Sequence, residues 1–186
     1  MKAIHVVAYD PRWPRLFEQI SSQVWQAVRH VAVDIVHVGS TSVPGLCAKP
    51  VIDACVVVQS SREVQACIDC LASIGYVHRG NLGVPERDAF RQPDQLPRHH
   101  LYLSPRESLS LKNQLGFRDY LRSHPEAAAE YGKLKTSLAR RYPDDMDRYV
   151  AGKTDFVLRI LGEIGLHEME LAEIARINRV DTVVPP

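Results

Sequence analysis

The sequence predicts an α+β fold, in which a small mixed β-sheet is flanked by helices and followed by a helical C-terminal part. Short β-branched runs bounded by Gly and Pro occur before Pro105, and they are typical of strands. Beyond Pro105, apolar residues recur at the three- and four-residue spacing of helices. We therefore expect a single domain over residues 1–186, with the sheet in a core at 1–105 and a helical part packed on it at 106–180.

The first half of the chain predicts two helices and two strands. The predicted elements, in order, are a helix from Pro14 to about His30, strands at Val33–Val38 and Val51–Val58, and a helix from Ser60 to Gly75. Ser60 and Glu63 have the spacing of a capping box, and Gly75 is a common C-terminal stop. Alternation along the second strand predicts that Asp53 and Cys55 share one face.

The second half predicts three short strands and then helices. The predicted strands are Tyr76–His78, Asp88–Arg91 and His99–Leu103. Their connections are too short for helical crossovers, which favours mixed or antiparallel pairing. The predicted helices are Leu109–Leu121, one starting at Pro125 and reaching Tyr142, one spanning Tyr149–Leu161, and Glu168–Asn178. We expect the tail, Asp181–Pro186, to be frayed.

Composition excludes several classes of function. A hydrophobic content of 45% and a charged content of 24% are those of a globular protein. The net charge of +1 indicates no broad positive field, so we expect neither a nucleic-acid nor a membrane partner. The first residues lack a signal-peptide pattern, which predicts a cytoplasmic protein. The four cysteines include a C-x-x-C at Cys67 and Cys70, but its position within a helix favours core packing over redox or zinc chemistry.

The loop between the first two strands combines small residues with a nearby carboxylate. Gly39 permits close backbone approach, and the hydroxyls and amides of Ser40 and Thr41 are suited to phosphate oxygens. Asp53 lies in an apolar strand, where a carboxylate is costly unless it is paired, hydrogen-bonded or metal-bound. A purely structural role for Asp53, tethering the loop, is the alternative interpretation.

Several motifs in order resemble those of the GrpB family, a group of small bacterial proteins. The matching segments are Tyr9–Pro14, Gly39–Asp53, Arg98–Leu101, Phe117–Arg122, Tyr131–Ala139 and Tyr142–Phe156. The GrpB fold is similar to that of the nucleotidyltransferase superfamily, which includes DNA polymerase beta and the aminoglycoside nucleotidyltransferases. The resemblance therefore implies a nucleotidyltransferase-like core within the mixed sheet.

The resemblance also implies roles for individual residues. In the superfamily, a Gly-Ser after one strand holds the triphosphate, which here corresponds to Gly39 and Ser40. Two carboxylates on the next strand hold magnesium, and here Asp53 matches the first while Cys55 stands in place of the second. The predicted strand His99–Leu103 carries no carboxylate. His100, on that strand, is therefore the candidate to join Asp53 as a catalytic residue and metal ligand. The implied cofactor is a divalent metal, Mg or Mn. The alternative interpretation of His100 is a hydrogen-bonded structural histidine.

Four cations are candidates to bind phosphate beside these residues. Lys49 and Arg98 flank the two key strands, whereas Lys135 and Lys153 each follow a tyrosine by four residues on a predicted helix. The alternative for the helical lysines is a solvated face on which their stems cover the tyrosine rings.

We expect a minimal nucleotidyltransferase, which binds a nucleoside triphosphate with a divalent metal and transfers a nucleotidyl group to a hydroxyl of a small molecule or protein. The alternative is a catalytically reduced module of the same fold that binds a nucleotide or another phosphorylated small molecule. The second and third acidic metal ligands of the superfamily are not found, so the sequence leaves enzyme and binding module open.

Overall fold

The computed structural model describes residues 3–178, so the predicted frayed tail, Asp181–Pro186, lies outside the described residues. The elements of the first part are α1 (Trp13–Val28), β1 (Ala32–Val38), β2 (Ile52–Val58), α2 (Val64–Ser73), β3 (Val77–His78), β4 (Asp88–Arg91) and β5 (His99–Pro105). The helices that follow are α3 (Leu109–Ser123), α4 (Pro125–Arg141), α5 (Met146–Ala151), α6 (Thr154–Glu163) and α7 (Glu168–Asn178).

The strands form one five-stranded sheet in the order β1-β2-β5-β4-β3. Strands β2 and β5 pair in parallel at its centre, while the other neighbours are antiparallel. The sheet is therefore mixed, as the sequence predicts. The parallel register places Asp53 opposite His100 and Cys55 opposite Tyr102.

The two faces of β2 bury different cores, because its side chains alternate. Ile52, Ala54, Val56 and Val58 pack in the main core with α1 and α2. Cys55 and Val57 face the other way and pack with Leu111 of α3. All four cysteines are free. Cys55 and Cys67 are fully buried, and Cys70 packs against the main core, as expected of packing residues.

The predicted capping box is present. Ser60 Oγ accepts from a backbone N–H of the following turn, and Glu63 Oε2 accepts from the Ser60 N–H at 2.8 Å. The first turn is a 3₁₀ turn over Ser61–Glu63, and the α-helix itself starts at Val64. The glycine stop is also present, since Gly75 has a φ of +90° just beyond the helix.

The prediction of one helix over Tyr149–Leu161 is wrong, because two short helices, α5 and α6, occupy this segment. Two backbone hydrogen bonds mark the break. The Gly152 N–H bonds to Arg148 O and the Lys153 N–H bonds to Val150 O, so the chain tightens and turns. A Cβ on Gly152 would also overlap the Leu138 side chain of α4. Lys153 lies in this turn, at the N-cap position of α6.

The C-terminal helices hold the loop after β1 against the sheet. Val43 and Leu46 of that loop pack with Leu121, Tyr131 and Ile160, which belong to α3, α4 and α6. Among the described residues, none of the helices is long and apolar enough to cross a membrane.

Candidate functional site

The site begins where the backbone of Gly39 meets the carboxylate of Asp53. Gly39 follows β1 with φ +68° and ψ −174°, a conformation that is essentially restricted to glycine. A Cβ at this position would overlap Asp53 Oδ2. The absence of a side chain therefore brings the loop into direct contact with the first carboxylate of β2.

The hydroxyls of the loop have different partners. Thr41 is 1% exposed, and its Oγ1 lies 3.0 Å from His37 Nε2. Ser42 Oγ donates to the Gly39 carbonyl at 2.5 Å. The half-buried Ser40 side chain has no hydrogen-bond partner within the part of the chain that the structure describes. Gly39 and Ser40 also line a cavity of about 190 Å³. Of the three loop residues proposed from sequence, Gly39 and Ser40 face this space, whereas the Thr41 hydroxyl is engaged by His37.

Burial explains the role of His37. It lowers the pKa of the imidazole to about 4, so the ring is neutral at pH 7. The ring stacks on Phe17, with centroids 4.6 Å apart. His37 is therefore a packed structural residue that fixes Thr41.

Asp53 and His100 form a hydrogen-bonded pair across the parallel strands, with 2.8 Å between His100 Nδ1 and Asp53 Oδ1. The His100 side chain is 47% exposed and that of Asp53 27%. Within residues 3–178, His100 Nε2 has no hydrogen-bond partner. A carboxylate that orients an imidazole in this way suits either a general base or a metal-binding histidine.

The residues do not fit the two-metal site that the resemblance implies. Cys55 is completely buried, and burial raises the pKa of its thiol to about 12. Because the thiol is neither exposed nor ionised at neutral pH, it is not suited to bind a metal ion. No group of three His, Cys, Asp or Glu side chains with metal-binding geometry occurs among the described residues. Within residues 3–178, the two candidate ligands Asp53 and His100 are therefore not joined by a third such side chain.

Lys135 is not on a solvated helix face, contrary to the alternative interpretation. It is 2% exposed, and its Nζ donates to the Cys47 carbonyl of the loop. The ammonium also lies 4.8 Å from the centroid of the Tyr131 ring. Burial lowers the pKa of Lys135 to about 7. The expected lysine–tyrosine contact exists, but it lies inside the protein.

Lys153 and Lys49 extend the same cationic cluster. The Tyr149 ring lies near two lysines. Its centroid is 4.6 Å from Lys153 Nζ and 6.0 Å from Lys49 Nζ. Burial, followed by repulsion from Lys49, lowers the pKa of Lys153 to about 8. Burial also lowers the pKa of Lys49, against an opposing attraction from Asp53. We call Lys49, Lys135 and Lys153 the lysine cluster.

Arg98 lies at the outer edge of the lysine cluster. Its side chain is exposed, and its charge contributes to lowering the Lys49 pKa. Among the described residues, no carboxylate lies within ion-pair distance of a member of the lysine cluster. Lys49 and Lys153 are thus close enough to Asp53 for their charges to interact with it, while Arg98 neighbours Lys49 and Lys135 neighbours Lys153.

Sequence reasoning gave no role to the arginines that hold the loop. Arg118 Nη1 donates to the His37 carbonyl at 3.0 Å, and Arg122 Nη2 donates to the Ser42 carbonyl at 2.8 Å. Both belong to α3, so this helix fixes the start and the end of the Gly39–Ser42 turn. Both arginines belong to the Phe117–Arg122 motif, so the sequence contained a signal for them. Which carbonyls they bind, however, depends on tertiary packing.

Comparisons with known proteins agree with this architecture. The family model described as GrpB protein matches residues 3–163. The chain is 30% identical over 156 residues to UPF0157 protein YqkA of Bacillus subtilis, covering 84% of this chain but 46% of YqkA. The chain thus spans about half the length of that curated relative.

Two solved structures bear on the fold. The crystal structure of the conserved protein GrpB from Enterococcus faecalis superposes with a TM-score of 0.75 and 32% identity, covering 91% of this chain and 98% of that one. The Cid1 poly(U) polymerase gives a TM-score of 0.53 at 12% identity, covering 82% of this chain and 49% of that one. The second likeness concerns the fold alone. The chain therefore belongs to the GrpB family and has a nucleotidyltransferase-like fold.

Proposed function

We propose that the lysine cluster and the Gly39–Ser40 turn bind a phosphorylated small molecule, with a nucleoside triphosphate as the first candidate. The observation that carries the proposal is the lysine cluster itself. Three ammonium groups are wholly or partly buried, two of them, those of Lys49 and Lys153, near Asp53, and burial lowers the pKa of each. Burying unpaired charge is unfavourable, so a bound anion would relieve the repulsion that the free site contains.

Each residue has a role in this binding. The Ser40 hydroxyl and the backbone amides of the turn would donate hydrogen bonds to phosphate oxygens, as open backbone turns do. Lys135 and Lys153 would supply inner positive charge, while Lys49 and Arg98 would contact the outer phosphates. Asp53 would keep the turn and His100 in place. In a site with two carboxylates, a second metal ion neutralises negative charge on the phosphates. Here the lysines would neutralise that charge.

The direct test is thermal unfolding with inorganic triphosphate and with each nucleoside triphosphate, in a chelator so that no divalent metal contributes. A ligand that binds the native state raises Tm in a concentration-dependent manner. We expect this rise in the wild type and a clearly smaller rise in Lys153→Met. Lys112→Met, at an exposed site on α3, is the matched control and should behave as the wild type. An equal rise in Lys153→Met would exclude the lysine cluster as the binding site.

A second candidate, nucleotidyl transfer, is favoured by the contact between Gly39 and Asp53, which brings the proposed phosphate loop against the catalytic carboxylate. The acceptor hydroxyl of a small molecule or protein would attack the α-phosphorus, with pyrophosphate as the leaving group. His100 Nε2 would take the hydroxyl proton, since Asp53 fixes the ring through Nδ1. Alternatively, Asp53 and His100 Nε2 would hold a single divalent cation, Mg or Mn; Nε2 would then be a metal ligand and not the base.

The two candidates differ in the requirement for Asp53 and in pyrophosphate release. Transfer predicts that metal increases the Tm shift given by nucleotide, that Asp53→Asn abolishes this increase, and that pyrophosphate accumulates with a cell extract as acceptor source. Binding alone predicts a shift in the chelator and no pyrophosphate. A metal-dependent shift unchanged in Asp53→Asn would count against the proposed metal site.

A further inference from the structure

Helix α4 has a second cationic surface, which is separate from Lys135. One face of the helix lines an open groove with a cavity volume of about 1140 Å³. The residues of this face recur at three- and four-residue spacing; they are Ala129, Gly132, Lys133, Thr136, Ser137 and Arg140. Lys135 does not line the groove, because it is buried against the Cys47 carbonyl. The two lysines therefore serve different surfaces of one helix.

The opposite wall of the groove is the loop that follows the Ser40–Ser42 turn. Pro44 to Cys47 lie along it, and Arg122 of α3 lies at one end. Gly132 lets the loop approach closely, since a Cβ there would lie 3.2 Å from Cys47 Sγ and 3.5 Å from Leu46 Cδ1. The groove is therefore a defined concavity, bounded by the loop, α3 and α4.

The charged side chains that line the groove are all positive. Four are basic, namely Arg122, Lys133, Arg140 and Arg141, and none is acidic. Lys133 and Arg140 are exposed and have no ion-pair partner in the described part of the chain. Arg122 is held by the Ser42 carbonyl and has Asp119 at 3.9 Å, while Arg141 lies over the Tyr142 ring. The net charge of the whole chain is only +1, so this positive charge is a local feature.

We propose that this groove is a second anion site, which binds a small molecule through a diphosphate or triphosphate group. Lys133 and Arg140 supply the unpaired charge, and the Ser137 hydroxyl lies between them on the same face. The volume is slightly above the roughly 300–1,000 Å³ typical of small-molecule sites. A nearly neutral chain does not provide the extended field that a long polyanion needs, which favours a small ligand.

The test is calorimetric titration of the full chain with inorganic triphosphate in a chelator. We expect the double variant Lys133→Ala/Arg140→Ala to weaken one binding step by about tenfold or more, because two charge-assisted contacts are lost. Lys112→Ala/Arg29→Ala is the matched control; it removes the same charge at exposed sites outside the groove and should bind as the wild type. Both double variants should keep the wild-type Tm without ligand.

Lys153→Met separates this groove from the lysine cluster. Triphosphate binding that remains in Lys153→Met and is lost when the groove substitutions are added supports the groove. Unchanged binding on adding them, or an equal loss in the control, overturns it. Failure of the proposed function has a different signature, an unaltered titration in Lys153→Met alone. Repeating the Lys153→Met titration with a nucleoside triphosphate decides the source: tighter binding than that of inorganic triphosphate identifies an organic ligand, and weaker binding identifies an inorganic polyphosphate.

Discussion

The Cα of Gly39 lies against the carboxylate of Asp53, so that no side chain fits between them. The two residues are brought together by the antiparallel pairing of β1 with β2, in which Val38 is opposite Asp53. The turn after β1 thus begins at the one carboxylate of the site. This contact couples the backbone of the proposed phosphate loop to the proposed catalytic pair.

Gly39→Ala should therefore destabilise the protein and disturb the site. The backbone conformation alone costs about 1–3 kcal/mol for a residue with a Cβ, and displacement of Asp53 adds to it. Gly45→Ala is the control, since Gly45 has φ +77° but open space around its Cα. Urea unfolding should show a larger loss for Gly39→Ala than for Gly45→Ala. Equal losses would mean that the Asp53 contact has no energetic consequence.

Most of the fold follows from local signals in the sequence. The alternation of β2 defined its two faces, and the capping box marked the start of the helix that follows. The separation of α5 from α6 was not predicted, because the apolar residues of the segment continue at helical spacing across Gly152. What ends α5 is the fit of Gly152 against Leu138, which is a tertiary contact.

The candidate site was only partly readable from the sequence. The contact between Asp53 and His100 could be expected once their two strands were assumed to be neighbours. The observed register places the two residues opposite each other. The burial of Lys135 was not predictable from its helix, because its partner is the Cys47 carbonyl, 88 residues away. The engagement of Thr41 likewise depends on His37, whose burial the loop sequence does not reveal.

The buried Lys135 predicts a rise of stability with pH. Its pKa is about 7 in the folded protein, whereas the ordinary pKa of a lysine is 10.5, so in this range the unfolded state binds more protons. The cost of burying the ammonium is complete below pH 7 and is relieved as pH rises. Between pH 7 and 8.5, the free energy of unfolding should rise by about 1 kcal/mol per pH unit. Lys135→Met should reduce this slope in urea unfolding and leave the contribution of Lys153; an unchanged slope would contradict the assignment. The range stops at pH 8.5 because the buried cysteines act in the opposite direction at higher pH.

Anion binding at the lysine cluster should take up protons. A phosphate beside Lys135 and Lys153 favours their charged forms and so raises pKa values that burial has lowered to about 7 and about 8. Affinity for inorganic triphosphate should consequently decrease from pH 7 to pH 9. Calorimetry at pH 8 in buffers of different ionisation enthalpy should give a net uptake of protons. Neighbouring cations favour the deprotonated form of the ligand, so a net uptake can come only from the protein, and the absence of net uptake would contradict the prediction.

Replacing Cys55 by Asp should not restore a two-carboxylate site. The side chain at this position is fully buried and packs with Val38, Val57 and Leu111, so a carboxylate there would be desolvated without a metal to balance it. We expect Cys55→Asp to lower the free energy of unfolding by at least about 2 kcal/mol. Cys55→Ala is the control for lost volume and should cost less. If Cys55→Asp were as stable as the wild type and gained metal-dependent nucleotide binding, the α3 side of β2 would have to open in solution. The destabilised outcome would instead show that the packing of α3 on β2 excludes a second metal ligand.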